Sequence, residues 1–145
     1  MNGKEFLVTA MLLQHKGSDE ADFRTAISRA YYACFIELRD IAFNYCSEDA
    51  RRRAHLKSER KIRHEDFLSS LRNSSMPEIS RLGGDLQGLY GNRNEADYNM
   101  SISLNKINAD DAIEEANFIL ADVGKLSPAE IGKALEEYCM LGATK

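Results

Sequence analysis

The sequence predicts an all-α fold, an up-and-down bundle of four or five core helices plus a short C-terminal helix. Three observations carry that expectation. Apolar residues recur every three or four positions through most of the 145 residues, and no segment alternates as a strand does. Residues that start and stop helices stand at the ends of the periodic segments. The chain has two prolines, and each sits where a periodic segment begins. The length suits one domain spanning 1–145.

A first helix is expected over Gly3–Lys16, with Phe6, Leu7, Ala10, Met11 and Leu13 on its apolar side. Gly17 stops it, and Ser18 or Asp19 caps the next. The second helix is long, about Asp19–Tyr45. Phe23, Ile27, Ala30, Tyr31, Cys34, Leu38, Ile41 and Tyr45 repeat at helical spacing, which makes it the central helix. Ser47–Arg63 carries few apolar residues and reads either as a loop or as a solvated helix standing off the core. A third core helix starts near His64 and presents Phe67, Leu68 and Leu71.

Asn73–Met76 reads as a turn. Ser75 and Glu78 have the spacing of a capping box, and Pro77 falls in the first turn, where its missing N–H costs least. The fourth helix runs from Pro77 to about Tyr98. It contains Gly83, Gly84, Gly88 and Gly91, each costing about 1 kcal/mol relative to alanine in a helix interior. Close approach of another helix would offset that cost; a break near Gly83 is the alternative. Met100–Asn108 reads as a loop, with Asn108 capping a fifth helix over Ala109–Lys125. That helix carries Ile113, Ala116, Phe118, Ile119, Leu120 and Val123. Ser127, Pro128 and Glu130 open a short sixth helix that ends near Leu141.

The net charge of −4 gives the whole molecule no general attraction for nucleic acid. The local distribution differs. Glu48–His64 holds seven Lys/Arg, among them Arg51, Arg52 and Arg53, against three acids. Such a run is either a solvated face or a set of non-specific phosphate contacts. No stretch approaches 18 apolar residues, so no membrane span is expected, and the N-terminus lacks the pattern of a signal peptide. Cys34, Cys46 and Cys139 are odd in number and lack metal-ligand spacing. They read as small buried hydrophobes in a reducing cytoplasm. No metal-ligand cluster, Gly-rich phosphate loop or nucleophile elbow is present, so no metal and no cofactor are expected.

Arg93 is the residue to single out. It falls on the helix face of Leu82, Leu86 and Leu89, where a charge needs a partner, a cleft or an interface. One account is an Arg93–Asp97 pair on an exposed helix. The other is a phosphate-binding arginine, whose planar fork matches two phosphate oxygens. Asn94, Asp97 and Tyr98 stand beside it in sequence. On the second helix Tyr31 and Tyr32 cannot both face the core. One packs and the other points to a groove or a partner, unless both pack with their hydroxyls reaching out. Ser28, one turn before Tyr32, is placed to bond a ligand or the preceding turn.

The segments SRAYYACF (28–35) and LYGNRNEADY (89–98) together resemble the HEPN domain family (higher eukaryotes and prokaryotes nucleotide-binding). The likeness is greatest to its small stand-alone prokaryotic members and runs from about Asp22 to Val123. The resemblance implies a homodimeric helical bundle that binds RNA or a nucleotide. Many family members are metal-independent endoribonucleases of toxin–antitoxin or defence systems, often paired with a small nucleotidyltransferase. Others are non-catalytic interaction or binding modules.

The family's catalytic pattern is an arginine, then a polar residue, then a histidine after four to six intervening residues. Arg93 and Asn94 match its start. The histidine position falls on Tyr98, Asn99 or Met100, and none is histidine. The tyrosine that follows that histidine in antitoxin-modified members is also lacking, since Met100 stands there. Metal-free RNA cleavage deprotonates the 2′-hydroxyl and protonates the leaving oxygen. An imidazole with a pKa of about 6.5 suits both steps, and a phenol at about 10 does not. The resemblance therefore carries over to Arg93 and Asn94, while Tyr98, at the histidine position, could donate a hydrogen bond to phosphate or stack on a base and could replace the histidine in catalysis only with a strongly lowered pKa. Tyr32, Ser28, Asp97, Arg51, Arg52 and Arg53 would contact the ligand. His15, His55 and His64 are the chain's histidines, and His64, beside the basic run, is the one to watch.

Overall fold

A computed structural model describes residues 2–53 and 63–143, with side chains except at 51, 53 and 140–143. The described residues are all-α, seven helices without a strand: α1 (Gly3–Lys16), α2 (Glu20–Tyr45), α3 (Glu48–Arg53), α4 (His64–Arg72), α5 (Pro77–Tyr98), α6 (Lys106–Lys125) and α7 (Pro128–Ala143). They group into two compact units. One comprises 1–37 and 85–121, the other 38–84 and 122–145.

The first unit takes α1, most of α2, the C-terminal part of α5 and most of α6. Its core mixes large residues (Ile27, Tyr31, Phe35, Leu86, Leu89, Ile119) with small ones. Ala10, Ala26, Ala30, Ala33, Ala109, Ala112 and Ala116 are all buried. Alanine at a helix contact removes bulk and lets backbones approach closely. Asn2 starts α1 with a capping box: its Oδ1 accepts from Glu5 N–H, and Glu5 Oε2 accepts from Asn2 N–H. Asp19 caps α2, its Oδ1 accepting from Asp22 N–H.

α6 begins at Lys106, three residues before the sequence places it. Asn105 Oδ1 accepts from Asn108 N–H, and Asn108 Oδ1 accepts from Asn105 N–H. Asn108 is therefore the third residue of the helix rather than its cap. An asparagine can close this reciprocal pair as a glutamate does, so two asparagines three apart left the register ambiguous.

The second unit packs α4 and α3 against α7 around Leu38, Phe43, Phe67, Leu68, Leu71, Ile79, Leu82 and Ile131. The start of the basic run is helical, since α3 covers Glu48–Arg53, and Ser47 Oγ accepts from Ala50 N–H at its start. α7 has 16 residues and buries Ile131, Ala134, Leu135 and Cys139. It starts at Pro128 as expected, ends two residues beyond Leu141, and packs against both α3 and α4. Gly132 permits its contact with α2, because a Cβ there would lie 2.5 Å from the carbonyl carbon of Tyr45.

α5 is unbroken through its glycines. A Cβ on Gly83 would come within 2.7 Å of Arg72 N and 2.9 Å of Leu71 Cβ. That is the close approach expected of one glycine. Gly84, Gly88 and Gly91 meet nothing within 4 Å among the described residues, so packing does not explain those three. Ser75 does not form the expected box with Glu78. Its hydroxyl donates to Glu137 of α7, and Pro77 still opens the helix. Three apolar assignments also move outward. Met11, Tyr45 and Phe118 lie on stripes read as core-facing, and all three are exposed.

Candidate functional site

α2 and α5 bring together residues sixty to seventy positions apart. Tyr31 fills the core, its ring 5.7 Å from Phe35 and 5.3 Å from Tyr90 between centroids. Tyr32, the next residue, turns about 100° round the helix and reaches Arg93 instead. Arg93 Nη2 donates to the hydroxyls of Tyr32 at 2.8 Å and Tyr98 at 3.3 Å. Nη1 donates to Asn94 Oδ1 at 3.1 Å. The guanidinium carbon lies 5.2 Å from the Tyr32 ring centroid and 5.3 Å from that of Tyr98, within cation–π range. Nε stands 2.8 Å from Asp97 Oδ2, yet its N–H finds no aligned acceptor, so this contact is an ion pair without a good hydrogen bond. Ser28 Oγ donates to the same Asp97 oxygen at 3.1 Å.

Six of the sequence candidates thus form one cluster: Tyr32, Asn94, Asp97 and Tyr98 touch the Arg93 guanidinium, and Ser28 joins through Asp97. Ser28 serves through Asp97 rather than through the preceding turn. The Arg93–Asp97 pair exists, but not on an open helix face, because the Arg93 side chain is only 12% exposed. Burial works to lower the Arg93 pKa. Tyr32, Asp97 and Tyr98 outweigh it and hold the guanidinium above its ordinary value. The charge is permanent. Tyr98 stands on the solvent side of the cluster and is itself 70% exposed.

The described start of the basic run lies on α3 of the second unit. Arg52 is exposed and pairs with Asp49 at 3.5 Å. The side chains of Arg51 and Arg53, and His55, lie outside the described residues. His15 is exposed near the end of α1, and His64 opens α4 in the second unit. Among the described residues no group of three His, Cys, Asp or Glu side chains is placed to hold a metal ion. No described helix is long and apolar enough to cross a membrane.

Sequence reasoning missed the pair that shapes the end of α5. Arg24 is buried on α2. Its Nη1 donates to the carbonyls of Glu95, Ala96 and Asn99 at 3.0–3.2 Å, and Nη2 donates to that of Ile102. It sets a positive charge at the C-terminal end of α5, where the helix dipole is negative, and bonds the carbonyls of its last turn and of the loop that follows. Glu20, one turn earlier, pairs with Arg24 at 3.1 Å and accepts from Leu104 N–H at 2.8 Å and from Ser103 Oγ. Two side chains thereby clamp both ends of the 99–104 loop directly after Tyr98. The signal was present: Arg24 precedes Ile27 and Tyr31 on the apolar stripe, the same anomaly that drew attention to Arg93.

No protein-family model, no curated protein and no solved structure matches this chain.

Proposed function

We propose that the Arg93 cluster is a phosphate-recognition site and that the protein is a HEPN-like RNA- or nucleotide-binding protein acting as a homodimer. The observation that carries the reading is the convergence of Tyr32 from α2 with Arg93, Asn94 and Tyr98 of α5 on one permanently charged guanidinium. The resemblance of the same two segments to the family supports it. A phosphate oxygen would be met by the Arg93 fork and the phenol hydroxyls. The exposed Tyr98 ring offers a base a stacking surface. Asp97 sets the strength of the site. Its carboxylate already offsets much of the Arg93 charge, so an anion gains less than at a bare arginine.

Binding is favoured over cleavage. The position of the motif histidine offers Tyr98, Asn99 or Met100, and a phenol with an ordinary pKa of about 10 is a poor base at neutral pH. Any cleavage would run by 2′-hydroxyl attack on phosphorus, leaving a cyclic phosphate. The test is binding of a labelled single-stranded RNA in EDTA, with the same mixtures examined for cleavage. Arg93→Ala should abolish binding while the helix content stays unchanged. Asp97→Asn should bind more tightly than wild type. Unchanged affinity in both variants would sink the proposal.

A second reading, a non-catalytic interaction module or accessory subunit of a nucleotidyltransferase or defence complex, has one observation in its favour. Gly84, Gly88 and Gly91 recur at helical spacing with nothing against them among the described residues. That flat side of α5 would accept a closely packed partner helix. Under this reading Arg93→Ala weakens assembly and leaves RNA untouched. The Arg93–Asp97 pair, which this reading would place across an interface, lies within one helix.

A further inference from the structure

Between α1 and α6 of the first unit runs an open groove of about 460 Å³. Its apolar lining is Met11, Ile113, Phe118 and Ala121, and its acidic lining is Asp110 and Glu114. Met11 and Phe118 belong to stripes whose spacing points to the core, yet they are 48% and 61% exposed. Leaving a methionine and a phenylalanine in water forgoes roughly 1–2 kcal/mol each, which a docked partner would recover. The lining from Asp110 to Ala121 covers twelve residues of α6, a rise of about 16 Å at 1.5 Å per residue. That length accommodates about three turns of a second helix.

Charge narrows the occupant. Among the described residues no lysine or arginine lines the groove. From Asp110 to Asp122 α6 carries five carboxylates (Asp110, Asp111, Glu114, Glu115, Asp122) and no base. Gln14 Nε2 donates to Asp110 Oδ1 and holds that carboxylate at the groove. An anionic bilayer or a nucleic-acid backbone would be repelled here. A two-fold pairing with its axis through α6 would set acidic α6 against acidic α6.

We propose that the groove docks an amphipathic helix of a partner protein, with apolar anchors at i, i+3 and i+4 between Met11 and Phe118 and with lysines or arginines facing Asp110 and Glu114. The proposal does not depend on what Arg93 binds. Two labelled model peptides of about 14 residues test it on the full chain, one with a leucine ridge flanked by lysines, the other with the same ridge flanked by glutamates. Wild type should bind the lysine peptide and reject the glutamate peptide. Phe118→Ser, an exposed site whose replacement leaves the core intact, should weaken binding by roughly tenfold or more. Glu114→Lys should reduce affinity for the lysine peptide and raise it for the glutamate peptide, whereas Arg93→Ala should change neither.

Failure of the lysine peptide to bind would overturn the proposal. So would equal affinity for the two peptides, which would mark mere apolar adhesion. So would conversion of a self-associated wild type to monomer by Phe118→Ser, which would assign the groove to a second copy.

Discussion

Arg93 and Arg24 show one residue type solving two problems. Each stands on an apolar stripe, and each is enclosed. Arg24 spends its donors on backbone carbonyls and Glu20, so its role ends in the fold. Arg93 spends its donors on side chains that can rotate away, two of them phenols, so an incoming anion can replace them. Glu20 has a consequence that can be measured. The Leu104 N–H first, then the Ser103 hydroxyl and Arg24, hold its carboxyl below the ordinary value. A carboxylate depressed in the folded state stabilises it above the unfolded pKa of about 4.3, and that contribution is lost as pH falls through the folded value. Glu20→Gln should therefore flatten the loss of stability on acidification below about pH 5, measured by urea unfolding at a series of pH values. An unaltered acid profile in the variant would show that the loop contacts of Glu20 do not persist in solution.

At the scale of the element, α5 separates two kinds of glycine. Gly83 faces the backbone of Arg72, and a methyl group there has no room. Gly83→Ala should destabilise the protein by about 1–3 kcal/mol through overpacking. Gly88 faces open space in the middle of a continuous helix. Gly88→Ala should stabilise the chain by about 0.5–1 kcal/mol, because glycine is the costlier residue in a helix interior. Thermal unfolding of the two variants beside wild type checks both signs. A destabilising Gly88→Ala in a self-associating protein would mean that another helix occupies that face. The same element explains why the cluster was readable in part. Arg93, Asn94, Asp97 and Tyr98 lie within two turns of one helix, and spacing alone places Arg93 above Leu82, Leu86 and Leu89. That Tyr32 rather than Tyr31 meets them depends on how α2 is rotated against α5, which no local pattern encodes.

At the scale of the whole molecule, the three thiols report on its integrity. All three are buried and unbridged. Burial first, then Glu115, pushes the Cys34 thiol up to about 12. Burial, then Cys46, Asp66 and Glu136, pushes Cys139 up to about 11. The reactive species is the thiolate, so both groups are inert in the folded state at neutral pH. A thiol reagent should label Cys34 and Cys139 only as fast as the chain opens, with rates that rise with denaturant alongside unfolding. Labelling of either in the native protein at the rate of a free thiol would contradict this burial.

Fold class and most helix ends were determined by the sequence alone, because period, caps, glycines and prolines act over a few residues. Gly3–Lys16, the end of α2 at Tyr45, and the start of α5 at Pro77 needed nothing further. Tertiary structure decided what depends on contacts between distant residues. It chose Asn105 over Asn108 as the cap of α6, and packed α7 against both α3 and α4. It turned Met11 and Phe118 outward and, of the four glycines of α5, assigned Gly83 alone to close packing among the described residues. It also bound the end of α5 to Arg24 and delivered Tyr32 to Arg93. Those outcomes follow from which helix face meets which neighbour, and a one-dimensional pattern carries the face but not the neighbour.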